Sequence, residues 1–80
     1  SGRQIRTLGT SVWLRLQQET GRSVDFPDDC YQGEYIRDIA REILEQKGEQ
    51  FALQPRDKGI EFCASFAAEK ILGSIRQDLE

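Results

Sequence analysis

Apolar residues recur every three or four positions in three separate stretches of this 80-residue chain, which is the spacing of helices with one buried face. The pattern predicts helices over about residues 4–20, 33–47 and 56–79. Gly21 and Pro27 interrupt the pattern after the first stretch, and Gly48 and Pro55 interrupt it after the second. No stretch alternates in the manner of a strand. The sequence therefore predicts an all-α fold, a small three-helix bundle formed by residues 1–80 as a single domain.

The predicted core consists of the apolar face of each helix. Its positions are Ile5, Leu8, Val12 and Leu16 on the first helix, Ile36, Ile39, Ala40, Ile43 and Leu44 on the second, and Ile60, Ala64, Ala67, Ile71, Ile75 and Leu79 on the third, with Cys63, Ala68 and Leu72 on its flanks. We expect Val24 and Phe26 to hold the first connection against the bundle, and Phe51 and Leu53 to anchor the second. A chain of this length builds only one small core, so the domain is expected to be marginally stable by itself.

Three large apolar residues do not fit a self-contained bundle. Leu14 lies off the apolar face of the first helix. Phe62 and Phe66, four positions apart, lie on the far side of the third helix from its main apolar face. One interpretation is that Phe51 and Leu53 fold over the two phenylalanines. The other is that these three residues dock onto a further body of protein.

The composition excludes several kinds of chemistry. The chain has no His, which rules out Ser–His and Cys–His nucleophile pairs and removes the commonest metal ligand. Cys30 and Cys63 have no third or fourth cysteine to complete a zinc site, so we expect two reduced thiols, with a disulfide as the alternative. No glycine-rich phosphate loop, membrane-spanning apolar run or secretion signal is present. The sequence predicts no catalytic residue and no metal site.

The charges point to a solvated helical surface. The net charge of −3 argues against a free-standing nucleic-acid binder. Within the second helix, Asp38 and Glu45 are spaced to pair with Arg41. Arg37 and Arg41 share one side of this helix and could straddle an RNA phosphate backbone, although an ordinary solvated face is the simpler interpretation.

Residues 27–40 carry the most distinctive pattern of the chain. Two tyrosines flank a glycine where the second helix is expected to begin, either to stack on a base or, more simply, to pack the connection onto the helix. The run reads Pro27-Asp-Asp-Cys-Tyr31-Gln-Gly33-Glu-Tyr35-Ile36-Arg-Asp38-Ile39-Ala40. It resembles a segment of bacterial arginyl-tRNA synthetases that reads approximately Pro-x-x-x-Tyr-x-Gly-x-Tyr-Ile-x-Asp-x-Ala. The positions that match the family motif are Tyr31, Gly33, Tyr35, Ile36 and Asp38.

Two further stretches resemble the same family, in the same order along the chain. The opening Gly2-Arg-Gln4-Ile5 is similar to the end of the family's Asn-Asp-x-Gly-x-Gln stretch, which implies that Gln4 lies near the substrate-binding motif. Residues 68–79 are similar to a helix that leads toward the next strand of the catalytic fold. Together the three stretches extend from residue 2 to residue 79, over nearly the whole length of the chain.

The resemblance implies a function for a larger protein. Arginyl-tRNA synthetases are cytoplasmic class I ligases with a nucleotide-binding α/β fold, which activate arginine with ATP and magnesium and transfer it to tRNA. The region that resembles this chain is a helical insertion in their catalytic domain. The family's ATP-binding signatures, of the His-x-Gly-His and Lys-Met-Ser-Lys-Ser types, do not occur here.

For this chain, the resemblance therefore implies a fragment without catalytic activity and without a cofactor of its own. Its expected role is to brace the remainder of the catalytic domain and to approach the acceptor arm of tRNA. Leu14, Phe62 and Phe66 would then contact the catalytic core.

Two other functions stay open on the sequence. The first is a stand-alone three-helix module that binds another protein. The second is a small RNA-binding domain, which the negative net charge disfavours. The chain contains no Met and begins Ser1-Gly2, and we expect it to be a piece of a longer protein.

Overall fold

A computed structural model of the protein describes the backbone of residues 2–79 and the side chains of residues 4–72. It contains helix α1 (Gly2–Glu19), helix α2 (Glu34–Lys47), a short 3₁₀ helix (Glu49–Leu53) and helix α3 (Arg56–Leu79). The described residues form no strand. The predicted all-α, three-helix fold is confirmed. The 3₁₀ helix is too short to produce an apolar period, so the sequence pattern does not predict it.

Both ends of α2 lie at glycines. Gly33 precedes the first turn with an extended backbone, and Glu34 in that turn complements the helix dipole, as Lys47 does in the last turn. Gly48 ends the helix with φ 84°, a conformation that L side chains rarely adopt, and its N–H donates to the carbonyl oxygen of Leu44 at 2.7 Å. The helix therefore ends where the sequence predicts.

One hydrophobic cluster joins the three helices and the 3₁₀ helix. Its buried members are Leu8, Val12, Trp13 and Leu16 of α1, Ile36, Ile39, Ala40 and Ile43 of α2, Phe51 and Ala52 of the 3₁₀ helix, and Ile60, Cys63 and Ala67 of α3. Leu44 and Ile71 pack against this cluster and are partly buried. Most of the predicted core is confirmed, whereas the predicted positions Ile75 and Leu79 lie outside the described side chains. None of the described helices combines the length and the apolar content needed to cross a membrane.

Three residues that the sequence placed in the core, on its flank or as an anchor are exposed: Ile5, Leu53 and Leu72, the last of which is 61% exposed beside an open groove. Leu53 is 69% exposed because the inward positions of the 3₁₀ helix are taken by Phe51 and Ala52. The prediction that Leu53 anchors this connection is therefore wrong, and Phe51 does so without it. Ile5 is 48% exposed, although it follows the apolar spacing of α1, because it lies at the rim of an open groove between α1 and α3.

Helices α1 and α3 approach so closely that their contact requires glycine. A Cβ atom at Gly9 would lie 2.5 Å from the carbonyl oxygen of Ile60 and 2.7 Å from the Cβ of Ala64. On the α3 side, the ring of Trp13 occupies the space in which a Cβ of Gly59 would stand. The short distance between the two helices therefore leaves room for glycine alone at both positions.

The connection between α1 and α2 runs back along α1. The side-chain amide of Gln18 donates to the carbonyl oxygen of Val24 at 3.3 Å, and the guanidinium of Arg15 lies 3.8 Å from the centre of the Phe26 ring. Val24 and Phe26 are both partly buried, as predicted. Leu14 lies on the same side of α1 as Gln18, four positions away, and is only 8% exposed. Leu14 therefore offers no free docking surface, contrary to the sequence expectation.

The α1–α3 contact predicts the effect of a small substitution. We expect Gly9→Ala to lower the free energy of unfolding by about 1–3 kcal/mol, because the new methyl group meets backbone atoms of α3. Helix propensity alone would give the opposite sign, a gain of about 1 kcal/mol. Urea unfolding followed by circular dichroism measures the difference, with Ser65→Ala on the exposed face of α3 as the control. A more stable Gly9→Ala variant would contradict the proposed fit.

Candidate functional site

The family-like segment forms the entry to α2. The carbonyl oxygen of Gly33 accepts the N–H of Ile36 at 3.1 Å, and the Ile36 side chain is fully buried in the core. The ring of Tyr35 lies over the Cα of Gly33, in the space that a Cβ would need, and is 47% exposed. The Gly-x-Tyr spacing of the motif therefore allows the ring to pack beside Gly33, where the helix begins. Asp38, in the next turn, is exposed.

Tyr31 is held in place from α1. Its backbone N–H donates to the hydroxyl oxygen of Ser11 at 2.9 Å, while that hydroxyl donates to the carbonyl oxygen of Thr7 at 2.7 Å. Ser11 is fully buried, and the Tyr31 side chain packs against the hydrophobic cluster. A buried hydroxyl with both a donor and an acceptor role is fully satisfied. Ser11 thus fixes the position of the motif relative to α1.

The two arginines proposed for RNA contact meet at a single carboxylate. Arg41 Nε donates to Glu19 Oε1 at 3.1 Å, and Arg37 Nε lies 3.9 Å from Glu19 Oε2. The hydrogen bond to Glu19, together with the charge of that carboxylate, raises the pKa of Arg41 above its ordinary value. The sequence paired Arg41 with Asp38 and Glu45 within α2. The charge of Asp38 does favour the charged form of Arg41, but the hydrogen bond of Arg41 crosses to Glu19, the last residue of α1. Both arginines remain partly exposed.

The rings of Phe62 and Phe66 lie on the flank of the core. They stack with their centroids 5.9 Å apart, and Phe51 meets Phe62 edge to face at 5.1 Å. Lys47 Nζ lies 5.1 Å from the centre of the Phe62 ring. The sequence left open whether Phe51 and Leu53 fold over the two phenylalanines. In the structure, Phe51 packs against Phe62, whereas Leu53 is exposed and does not cover them. Phe62 and Phe66 are partly buried, and their contact with a larger protein stays a prediction.

The two cysteines are free and buried. Burial raises the pKa of the Cys63 thiol to about 12, so this thiol stays protonated and is a poor nucleophile at neutral pH. Within the described residues, no three side chains among His, Cys, Asp and Glu form a group that could hold a metal ion.

An open groove of about 330 Å³ lies between the beginning of α1 and residues 68–72 of α3. Ile5 and Leu8 line it from α1, Ile71 and Leu72 line it from α3, and Tyr31 borders it. Gln4, which resembles a residue near the substrate-binding motif of the family, also lies in this groove and is exposed. The sequence could not reveal the groove, because the lining residues of α1 and those of α3 are sixty or more positions apart in the chain.

Sequence reasoning also missed the polar residues by which α1 holds the other elements. Gln17 is buried, and its side-chain amide donates to the carbonyl oxygen of Ala52 at 3.1 Å. Ser11 and Glu19 act as acceptors instead, Ser11 for the backbone N–H of Tyr31 and Glu19 for the guanidinium of Arg41 in α2. The sequence shows only that Ser11 lies next to the apolar Val12 on the first helix, which does not identify the hydrogen-bond partner of Ser11.

Comparison with curated proteins gives matches over the entire chain. The arginine–tRNA ligase of Desulfosudis oleivorans is 48% identical over 79 residues, and that of Syntrophotalea carbinolica is 42% identical over 79 residues, each covering 99% of the chain. The arginine–tRNA ligase of Citrifermentans bemidjiense is 39% identical over 80 residues, which is 100% of the chain. The chain spans about 14% of the length of each of these relatives. No family model and no solved structure matches it.

These matches identify the chain as a helical segment homologous to part of an aminoacyl-tRNA ligase. The resemblance to arginyl-tRNA synthetases is thereby confirmed: from end to end, the chain is homologous to one stretch of arginine–tRNA ligases.

The hydrogen bond between Ser11 and Tyr31 predicts a local loss of order. We expect Ser11→Ala to lower the free energy of unfolding by about 1–3 kcal/mol, because the partly buried N–H of Tyr31 loses its acceptor. Hydrogen exchange of the Tyr31 amide should become faster in the same variant.

Thr10→Ala is the matched control for this variant. The hydroxyl of Thr10 also donates to a carbonyl oxygen four positions earlier, that of Arg6 at 2.8 Å, but this bond stays within α1. The control should leave exchange at Tyr31 unchanged. Equal exchange rates in Ser11→Ala and the unsubstituted chain would show that the motif does not depend on this bond.

Proposed function

We propose that this chain is a helical insertion segment of the catalytic domain of an arginine–tRNA ligase. The protein that contains it activates arginine with ATP and magnesium and transfers it to tRNA, as a class I synthetase of the cytoplasm. The observation that carries this proposal is the homology, at 38–48% identity over 99–100% of the chain, with ligases that bear this name.

The segment itself is structural in this proposal. Its motif residues serve the fold: Ile36 fills the core, Gly33 and Tyr35 pack at the helix entry, and Tyr31 is held by Ser11. Because these side chains are engaged in packing, we assign them no step in catalysis. The segment braces the remainder of the catalytic domain, and Phe62 and Phe66 contribute to that contact through their partly exposed rings.

Aminoacylation by the full-length protein that contains this segment tests the activity. We expect it to charge tRNA with arginine and with none of the other nineteen amino acids, in a reaction that requires ATP and Mg²⁺. The 80-residue chain, assayed in parallel, should charge no tRNA. A folded full-length protein that charges nothing, or that charges another amino acid, would overturn the proposal and favour a protein-interaction module.

The second part of the proposal is that the segment approaches the acceptor arm of tRNA. Arg37 and Arg41 support it, because their guanidinium groups stay partly exposed on one face of α2 while sharing the carboxylate of Glu19. Two adjacent cations at a surface suit contact with a phosphate backbone. The same geometry also fastens α2 to the end of α1, so the test must separate the two roles.

A variant that removes the charge of Glu19 separates tRNA contact from the fastening of α2 to α1. In the full-length protein, the double variant Arg37→Gln/Arg41→Gln should raise KM for tRNA and reduce the salt slope of tRNA binding by about 2, one unit for each lost phosphate contact. Glu19→Gln breaks the same ion pairs but leaves both cations, and should not raise KM for tRNA. An equal increase of KM in both variants would assign the arginines to helix fastening alone.

A further inference from the structure

The two arginines of α2 contact Glu19 through a single nitrogen each. Glu19 Oε1 accepts the N–H of Arg41 Nε at 3.1 Å, and Glu19 Oε2 lies 3.9 Å from Arg37 Nε. Among the described residues, neither guanidinium group donates a further hydrogen bond. A guanidinium group carries five N–H donors, of which Nε supplies only one. The donors on the terminal nitrogens of both arginines therefore stay available to an acceptor from outside the segment.

The carboxylate is the least exposed member of this cluster. The side chain of Glu19 is 27% exposed, whereas those of Arg37 and Arg41 are 38% and 56% exposed. The cations thus form the more accessible part of the cluster. An anion from solvent can reach their terminal nitrogens without displacing the carboxylate from the Nε atoms.

Glu19 is also the carboxylate that acts most strongly on Arg41. Its hydrogen bond and its charge are the largest causes of the raised pKa of Arg41, and the charges of Asp38 and Glu34 raise this pKa less. Among the described residues, Asp38 and Glu34 form neither a hydrogen bond nor an ion pair with Arg41. The direction of the Arg41 guanidinium is therefore set by Glu19, from the end of α1.

Restraining an arginine before it binds strengthens its contact with a phosphate. A free arginine side chain loses rotamer freedom when it binds, which costs a factor of about 2–10 in affinity. A neighbouring carboxylate has the opposite effect, because it repels the phosphate. Between exposed charges, however, this repulsion is weak and is screened by salt. Positioning of the arginines is therefore the larger of the two effects of Glu19.

We propose that Glu19 is the positioning residue of the RNA contact: its carboxylate aligns Arg37 and Arg41 through their Nε atoms and leaves their terminal nitrogens to bind phosphate oxygens. Glu19 itself does not contact the RNA. The proposal rests on the proposed function, because it concerns the same two arginines and the same tRNA. The link between α1 and α2 then serves binding as well as folding.

Two substitutions of Glu19 separate its charge from its hydrogen bond. Glu19→Gln removes the charge but keeps a side-chain oxygen that can accept from Arg41 Nε, whereas Glu19→Ala removes both. Glu42→Ala is the matched control, since it breaks another ion pair between helices, that of Glu42 with Lys70 at 2.6 Å, and leaves Glu19 in place. Binding of arginine-accepting tRNA to each full-length protein is measured by filter retention at several salt concentrations, without aminoacylation.

We expect Glu19→Ala to weaken tRNA binding about threefold to tenfold, because both arginines lose the group that restrains them. The slope of log K against log salt should stay unchanged in this variant, since both cations remain. Glu19→Gln should restore binding to within about twofold of the unsubstituted protein, because its oxygen again accepts from Arg41. Glu42→Ala should bind tRNA as the unsubstituted protein does. Urea unfolding of each variant verifies that it is folded.

Three results would overturn the proposal. Unweakened binding by Glu19→Ala would show that the arginines need no positioning. Equal weakening in Glu19→Ala and Glu42→Ala would assign the loss to a general loosening between helices. Binding by Glu19→Gln as weak as that by Glu19→Ala would show that the hydrogen bond is not what aligns the arginines.

The same measurements distinguish this failure from a failure of the proposed function. Normal binding by Arg37→Gln/Arg41→Gln would refute the proposed tRNA contact, and the positioning role with it. Weakened binding by that double variant together with unweakened binding by Glu19→Ala would refute the positioning role alone. The expected pattern of binding in a protein that charges no arginine would support the positioning role and refute the ligase activity alone.

Discussion

The close contact between α1 and α3 is the constraint on which the rest of the fold depends. Gly9 lets the backbone of α3 approach at Ile60 and Ala64, and Gly59 makes room for the ring of Trp13. With one face of α1 committed to α3, its remaining faces are left for α2 and for the connection that runs back along the helix. A side chain at either glycine would separate the two helices and open the core that all elements share.

Polar residues spaced along α1 then place the other elements. Ser11 holds Tyr31, Gln17 holds the 3₁₀ helix through Ala52, and Glu19 holds the arginines of α2. The family-like motif is thereby fixed to α1 by hydrogen bonding and packing. This arrangement agrees with the bracing role that we propose, because the motif residues Tyr31, Tyr35 and Ile36 are used to build the helical unit.

Much of the fold follows from local pattern. The apolar spacing of α2 predicts its buried face, from Ile36 to Ile43, because a helix turns by a fixed angle per residue. Gly48 ends that helix through a backbone conformation that glycine adopts without strain. The same reasoning failed for Ile5, which has the right residue type and spacing, and residue type alone failed for Leu53, because burial also requires a neighbouring element to cover the position.

The sequence by itself determined three helices, the absence of histidine chemistry and the relationship to arginine–tRNA ligases, since each depends on residues in linear order. Only the tertiary structure decided that Glu19 is the hydrogen-bond partner of Arg41, that the side of α1 carrying Leu14 faces the returning connection and that an apolar groove stays open beside Ile5. These contacts join residues far apart in the chain. Helical periodicity fixes which face a side chain occupies, but the packing of whole elements fixes what that face meets.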